Sequence, residues 1–192
     1  MSTRDRLLDA AICCLADDGW ARTTTRRILA AAGAHAPDVN YYFGSKEELM
    51  REAAVRVTRR WSQGPLRHMG ELVDTDPRTC LTEILERFLA NLKQDKRDAV
   101  AAVEVFAQAE RSEQLRTELR TVYEELRTTV GDGVEELAEG ADTRSLATVL
   151  IALFDGLAVQ SLFDPDNLPS ASALVDALAA LSTVAAAPGA RA

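Results

Sequence analysis

The chain has 192 residues, of which 47% are apolar and 27% are charged, and its net charge is −8. This composition supports one sizeable domain with a buried core, or a small domain fused to a larger one. No apolar run approaches the roughly 20 residues of a membrane span, and three cysteines without disulfide spacing favour the cytoplasm, so we expect a soluble cytoplasmic protein with no membrane partner.

The charge is unevenly distributed along the chain. Residues 1–60 hold 10 Lys and Arg against 8 Asp and Glu, whereas residues 61–192 hold 12 against 22. The net charge argues mildly against a nucleic-acid binder, but a slightly basic N-terminal part on an acidic body is more informative than the total.

Helical periodicity dominates, and sustained alternation of apolar and polar residues is missing, so we predict an all-α fold. The first helix is predicted from about Arg4 to Asp18, with Ser2 or Thr3 as its cap. Gly19 then ends it in the manner of a C-terminal glycine cap.

Two short helices are predicted next, at about residues 24–32 and 36–42. Thr24 or Thr25 can cap the first, Gly33 can end it, and Pro37 suits the first turn of the second. Two short helices joined by a turn that contains glycine form the helix-turn-helix pattern.

A capping box of Ser45 and Glu48 predicts a longer helix that continues to about Trp61. We place a domain boundary after it, at Gly64-Pro65. The predicted N-terminal domain is therefore 1–62, with the helix-turn-helix at about 24–43 and a linking helix at 45–62.

The rest of the chain predicts a helical domain at 63–186 and a flexible tail at 187–192. Its helices are expected at about 66–73, 77–92, 96–110, 112–139, 143–163 and 170–186. Gly131 and Gly133 are expected to interrupt the long charged helix that begins at Ser112.

The first 60 residues resemble the DNA-binding head of the tetracycline-repressor (TetR) family. Order and spacing match over roughly 45 residues without a gap; beyond residue 60 the resemblance rests on chain length, helical character and residues 154–157. The matching residues of the head are Gly19-Trp20, Thr24-Thr25, Ile28, Ala31, Ala32-Gly33 and the run from Tyr41 to Leu49.

Several side chains of this head suit the DNA backbone. Hydroxyls, cations and helix N-termini are the groups that hold phosphates. Candidates are Thr24 and Thr25 at one helix start, Tyr41 and Tyr42 at the end of the recognition helix, and Lys46 in the first turn of the linking helix. We expect Phe43, beside the tyrosines, to lie in the core and lock the three helices together.

Base recognition is expected from the outer side of the recognition helix and the start of the helix before it. Arg26 is our best candidate for a guanine contact, and Asn40 could contact adenine or only a phosphate. Arg27 faces another direction and could be a solvated surface charge. His35, Ala36, Pro37 and Asp38 complete the expected surface.

The helices at 143–163 and 170–186 are apolar almost all round. They could form the core of one chain, but we favour a symmetric four-helix interface between two chains, which the resemblance also implies. The candidate interface residues are Leu146, Leu150, Leu153, Phe154, Leu157, Leu174, Leu178 and Leu181.

A small, mostly apolar effector is expected between helices of the body. Each candidate residue could equally belong to the core: Trp61, Phe88, Leu92, Phe106, Tyr123 and Leu126. No catalytic, cofactor or metal-ligand motif is apparent, so an enzyme has little support.

The sequence therefore predicts a homodimeric, ligand-responsive DNA-binding regulator, most simply a repressor, that binds a palindromic double-stranded operator. The alternative is a helical small-molecule- or protein-binding dimer whose head does not bind DNA.

Overall fold

The computed structural model describes residues 1–63, 76–94, 96–135 and 142–186. These ranges contain nine α-helices and no strand, which confirms the all-α prediction. The short helix predicted at 66–73, the boundary at Gly64-Pro65 and the tail at 187–192 lie outside the described residues. The helices are α1 (Thr3–Asp18), α2 (Thr25–Ala32), α3 (Ala36–Phe43), α4 (Lys46–Gln63), α5 (Pro77–Gln94), α6 (Arg97–Ala109), α7 (Glu113–Glu135), α8 (Thr143–Phe163) and α9 (Ala171–Ala186).

Side-chain caps set the starts of the N-terminal helices. The Ser2 hydroxyl accepts a hydrogen bond from the Asp5 N–H at 3.1 Å, and the Thr24 hydroxyl accepts one from the Arg27 N–H at 3.3 Å. The Ser45 hydroxyl accepts the Glu48 N–H at 3.0 Å. Each bond satisfies a backbone donor that a helix start leaves free.

The turn between α2 and α3 depends on a glycine. Gly33 has φ 58° and ψ 43°, a left-handed conformation that glycine adopts without steric cost. Its N–H closes α2 on the carbonyl of Leu29, as a C-terminal cap does. Gly33 therefore ends α2 and lets the chain turn into α3.

The N-terminal helices share one hydrophobic core with the body. Ile12, Val39 and Leu49 represent α1, α3 and α4 in this core, and all are buried. Val105 of α6 and Leu119 of α7 belong to the same cluster. Because this cluster is continuous between the head and the body, the head packs directly on α6 and α7 and is not connected to the body by α4 alone.

Two further clusters form the rest of the body. One joins α5, α8 and α9, with Leu85 and Val175 among its buried members, and also contacts Trp61 of α4. The other joins α7 to α8 through residues that include Val130 and Ile151.

The predicted interruption of the long charged helix is wrong, because α7 continues through Gly131 and Gly133 to Glu135. Glycine costs a helix only about 1 kcal/mol relative to alanine. The packing of Val130 and Val134 against Ala147 in α8 outweighs that cost. The predicted residues 136–139 lie outside the described part of the chain.

The expectation that no apolar stretch approaches membrane-spanning length is also wrong. By length and composition alone, α8 could cross a membrane: it has 21 residues and a mean hydropathy of 1.9, and 28% of its most apolar window is buried. Core helices of soluble proteins meet the same criterion, so this is weak support for a span. Here Ala147 and Ile151 of α8 pack on α7, and Leu157 packs with α5 and α9.

Candidate functional site

Helix α3 presents a polar and aromatic outer face. Val39 and Phe43 are buried on its inner side, at 3% and 7% exposure. Apart from the half-buried Asp38, the remaining side chains of the helix and its cap project outwards, as the helical period requires. The exposed residues are His35, Ala36, Pro37, Asn40, Tyr41 and Tyr42.

The three neighbouring rings have different environments. Tyr41 is 80% exposed, Tyr42 is 37% exposed and Phe43 is buried. The two tyrosine rings pack edge to face with centroids 4.8 Å apart, and Tyr42 lies 6.4 Å from Phe43. The Arg4 guanidinium lies 5.2 Å from the Phe43 ring centroid and helps to cover it. The expectation that Phe43 lies in the core is confirmed.

Asp38 has a structural task at the start of α3. Its carboxylate accepts a hydrogen bond from the His35 N–H at 2.8 Å. This bond satisfies a free donor and places a negative charge at the positive end of the helix dipole. Asp38 is half-buried, whereas its neighbour Pro37 is exposed.

The two arginines at the start of α2 have different partners. Arg27 forms a bidentate ion pair with Asp18, in which its Nε and Nη2 donate to the two carboxylate oxygens at 2.5 and 3.1 Å. Arg26 is exposed and has no ion pair in the described part of the chain. Thr25 and Lys46 are half-buried at the first residues of α2 and α4. Arg26 is therefore the arginine available to an external partner.

Sequence reasoning missed Thr23, which precedes the two expected threonines. Thr23 is fully buried, and its hydroxyl lies 3.1 Å from the Cys14 carbonyl and 2.8 Å from the Gly19 carbonyl. The contact with Cys14 connects the turn after α1 to the last part of α1. The only signal in the sequence is a run of three threonines, which does not distinguish the buried one.

Among the described residues, polar links join the head to α6 and α7 of the body. The Trp20 N–H donates to the Glu104 carboxylate of α6 at 3.0 Å. Three arginines of α4 pair with carboxylates of α6 and α7. These ion pairs are Arg51 with Glu118, Arg59 with Glu125 at 3.0 Å, and Arg60 with Asp98 at 2.6 Å.

An open cleft of about 900 Å³ lies between α6, α7 and α8. Phe106 and Tyr123, two of the expected effector residues, line it with ring centroids 6.2 Å apart. Its charged lining consists of Arg116, Arg120, Arg127 and Asp155.

A half-buried hydrogen-bond network forms one wall of this cleft. The Tyr123 hydroxyl donates to Asp155 at 2.9 Å, and the Trp61 indole N–H lies 3.5 Å from the other carboxylate oxygen. Burial raises the pKa of Asp155, which the two hydrogen bonds partly oppose. Burial and the Asp155 charge also raise the pKa of Tyr123. The network links the cleft to the last turns of α4.

The other expected effector residues lie in the cores. Phe88 and Leu92 are each 2% exposed and pack in the α5–α8–α9 cluster, while Leu126 is 3% exposed in the α7–α8 cluster. Trp61 contacts Phe88 with ring centroids 5.6 Å apart. No group of three His, Cys, Asp or Glu that could hold a metal occurs among the described residues.

The expected dimer surface is only partly exposed. Leu181 is 63% exposed, but Leu157 is 3% exposed and packs inside the chain, so its assignment to an interface is wrong. A helix that is apolar all round does not show by periodicity which side faces inwards. Leu153, Phe154 and Leu174 pack against the α5–α8–α9 core, and Leu146 and Leu150 against the α7–α8 core. Leu178 is half-buried.

Instead, α8 exposes a different apolar stripe. Val149 is 59% exposed, Val159 is 39% exposed and Phe163 is 81% exposed. Ala152 is also exposed and Gly156 half-buried, at positions that share this side of the helix. Sequence reasoning missed these residues.

Comparison with known proteins covers both parts of the chain. The family model "Bacterial regulatory proteins, tetR family" matches residues 7–53, and "BetI-type transcriptional repressor, C-terminal" matches residues 77–186.

Two similar proteins match over most of their length. The HTH-type nicotine-responsive transcriptional repressor HdnoR of Paenarthrobacter nicotinovorans is 27% identical over 170 residues, covering 85% of this chain and 86% of that protein. The HTH-type transcriptional regulator BetI of Agrobacterium fabrum is 27% identical over 175 residues, covering 90% and 84%. The structure of Salmonella enterica GusR, 22% identical, shares the fold with a TM-score of 0.75, covering 93% and 94%.

Proposed function

This chain belongs to the tetR family of bacterial regulatory proteins and is a ligand-responsive DNA-binding repressor, and we propose that it binds a palindromic operator as a homodimer and is released by a small molecule. We further propose that it acts in the cytoplasm. The observation that supports operator binding most directly is the outer face of α3. Tyr41 on this face is 80% exposed, whereas Val39 and Phe43 on the inner face are buried and hold the helix in place.

We propose that α3 enters the major groove while its neighbours hold the backbone. The second helix of a helix-turn-helix contacts base edges, and flanking hydroxyls and cations contact phosphates. Tyr41, Tyr42 and Lys46 are placed for phosphates, together with Thr24 and Thr25 at the start of α2.

Arg26 and Asn40 are our candidates for base contacts, with His35, Ala36 and Pro37 shaping the surface between them. Arginine can pair bidentately with guanine, and asparagine with adenine. Asp38 is assigned a supporting role, because its carboxylate already accepts the His35 N–H.

We propose that α8 and α9 form the dimer interface through the apolar stripe of α8 and the exposed Leu181 of α9. In the single chain, large apolar side chains are exposed to solvent here, including Val149 and Phe163 of the stripe. A two-fold axis here would place the two recognition helices on one side of the duplex, with half-sites about 34–36 Å apart or at a related spacing.

We propose that the α6–α7–α8 cleft holds the effector. Asp155 on its wall accepts hydrogen bonds from Tyr123 and from Trp61, the latter near the end of α4. Glu104, two residues before Phe106 on α6, accepts the Trp20 N–H of the head. A ligand that favours one position of α6 or α4 would therefore change the separation of the two heads.

Operator binding is tested by selecting bound duplexes from random DNA and measuring their affinity by gel shift. We expect a near-palindromic site whose binding weakens steeply with salt. Arg26→Ala should weaken it and relax base preference at one position in each half-site. Arg87→Ala is the matched control, because Arg87 lies on α5, outside the helix-turn-helix, and pairs with Glu83 at 3.6 Å. Failure to enrich any duplex would refute the proposal.

The dimer is tested separately by light scattering during size-exclusion chromatography. Phe163→Glu places a charge on the proposed interface without disturbing a core, since Phe163 is 81% exposed. We expect a monomer with retained helicity and weakened operator binding. A dimer unchanged by Phe163→Glu and Val149→Glu would refute this interface.

A further inference from the structure

The charged groups of the α6–α7–α8 cleft are unequally satisfied. The Asp155 carboxylate faces two donors, the Tyr123 hydroxyl at 2.9 Å and the Trp61 indole N–H at 3.5 Å. Arg116 is also engaged, because it lies 3.1 Å from the Glu110 carbonyl and 3.0 Å from the Glu113 carboxylate. Both groups therefore already have partners within the chain.

Arg127 is different. Its Nη1 is buried without a hydrogen-bond partner. The nearest carboxylate oxygen in an ion pair with it, on Glu124, is 3.6 Å away, which is too long for a hydrogen bond. Glu124 is itself held by Arg144 through two bonds of 2.7 and 2.9 Å. A buried donor therefore lacks an acceptor at this point.

A second guanidinium lies on the same cleft. Arg120 is exposed, lines the cleft and has no ion pair in the described part of the chain. The Phe106 and Tyr123 rings provide apolar surface beside it. Arginine forks match the two oxygens of a carboxylate, and this match is stronger than a neutral hydrogen bond.

We propose that this cleft binds an organic anion, whose carboxylate pairs with Arg127 and Arg120 and whose apolar body lies against Phe106 and Tyr123. Binding of the anion does not depend on the proposed function, but an effect of that anion on operator binding rests on the proposed effector role of the cleft. A cationic ligand is the competing chemistry, because Asp155 is also present. Three arginines oppose a cation, and the Asp155 oxygens already have donors.

The ligand class is tested by calorimetric titration of the full chain with three probes that share a naphthalene ring. These are naphthoate, the neutral naphthamide and the cationic naphthylmethyl-trimethylammonium. We expect naphthoate to bind most tightly. Arg127→Gln should weaken naphthoate about 10- to 100-fold, the range for a hydrogen bond to a charged group, and leave naphthamide nearly unchanged.

Two further variants make the result decisive. Arg120→Gln alters an exposed side chain, so it should fold normally and still weaken naphthoate, whereas Arg87→Gln on α5 should have no effect. The proposal is overturned if the amide or the ammonium probe binds as tightly as naphthoate, or if both cleft variants leave the affinity for naphthoate unchanged. It is also overturned if naphthoate shows no binding at millimolar concentrations.

Operator binding is measured in parallel by gel shift without any probe. If the chain binds naphthoate most tightly but binds no duplex, the proposed function is refuted and the assignment of the cleft is not affected. A chain that binds its operator but shows no preference for the anion would refute only the cleft assignment.

Discussion

The three consecutive rings at the end of α3 allow a sharp test of how the head divides folding from DNA recognition. Phe43 is 7% exposed, whereas Tyr41 is 80% exposed and Tyr42 is 37% exposed. Changing each ring in turn should therefore affect stability and operator affinity in opposite order, although the residues are adjacent.

Phe43→Ala removes a buried ring from the core that joins α1, α3 and α4. Such changes cost about 3–5 kcal/mol, through lost burial and the cavity that remains. For a chain of this size each kcal/mol lowers the melting temperature by about 2–4 °C, so we expect a decrease of roughly 6–20 °C. Phe43→Leu keeps most of the volume and should show a smaller decrease in the same direction.

Tyr41→Phe and Tyr42→Phe remove only hydroxyls that face outwards. Their stability should change by no more than about 0.5 kcal/mol, as for other exposed positions. If each hydroxyl donates to a phosphate, its loss costs about 1.5–3 kcal/mol in each subunit, the range for a hydrogen bond to a charged group. The two subunits of a dimer together then lose about 3 kcal/mol or more, which is roughly a 100-fold or larger decrease in operator affinity.

Thermal melting followed by circular dichroism measures the first effect, and gel shift at several salt concentrations measures the second. The salt dependence should not change in either tyrosine variant, because a neutral hydroxyl releases no counterion. The reasoning is refuted if a tyrosine variant is destabilised as much as Phe43→Leu, or if both tyrosine variants keep full operator affinity.

Three further predictions concern charged groups. Lys46→Gln should reduce the slope of log affinity against log salt by about 2 for a dimer, measured by gel shift, since each lysine–phosphate contact contributes about 0.9. Asp155→Asn keeps a carbonyl acceptor for the Trp61 N–H, and its amide N–H can donate to the Tyr123 oxygen. Because burial raises the pKa of Asp155 above 3.8, the parent chain loses stability as pH rises from 3.8 through the native pKa. The variant should therefore melt higher than the parent above that window and equally below it; equal melting curves at all pH values would contradict this. Glu104→Ala leaves the Trp20 N–H without its acceptor and should cost about 1–2 kcal/mol in urea unfolding, whereas Glu104→Gln, which retains an acceptor, should cost less.

The helices of the head could be predicted because their signals are local. Thr24 lies three residues before the N–H that it accepts, and the Ser45 cap has the same spacing. Gly33 adopts the left-handed conformation that its place after a short helix suggests. Caps and turns of this kind depend on neighbours in sequence, so one sequence is sufficient to find them.

The cleft could not be predicted in the same way. Tyr123 and Asp155 are 32 residues apart, and Trp61 and Asp155 are 94 apart. Only the packing of α4, α7 and α8 brings these residues together. Our list of large apolar side chains therefore included Phe88 and Leu92, which are core residues, and omitted Asp155 and the three arginines that give the cleft its charge.

The shared core has a consequence for how a ligand could act on DNA. Val105 of α6 and Leu119 of α7 are buried with residues of α1 and α4, so the apolar core of the head continues into the body. Separating the head from the body would expose the apolar surface at this joint to water, which costs about 25 cal/mol for each Å². A small rotation that keeps these contacts is far cheaper, and couplings of about 1–3 kcal/mol are sufficient for 5- to 150-fold changes in affinity. We therefore expect the effector to tilt the head together with α4 and α6, and not to release it.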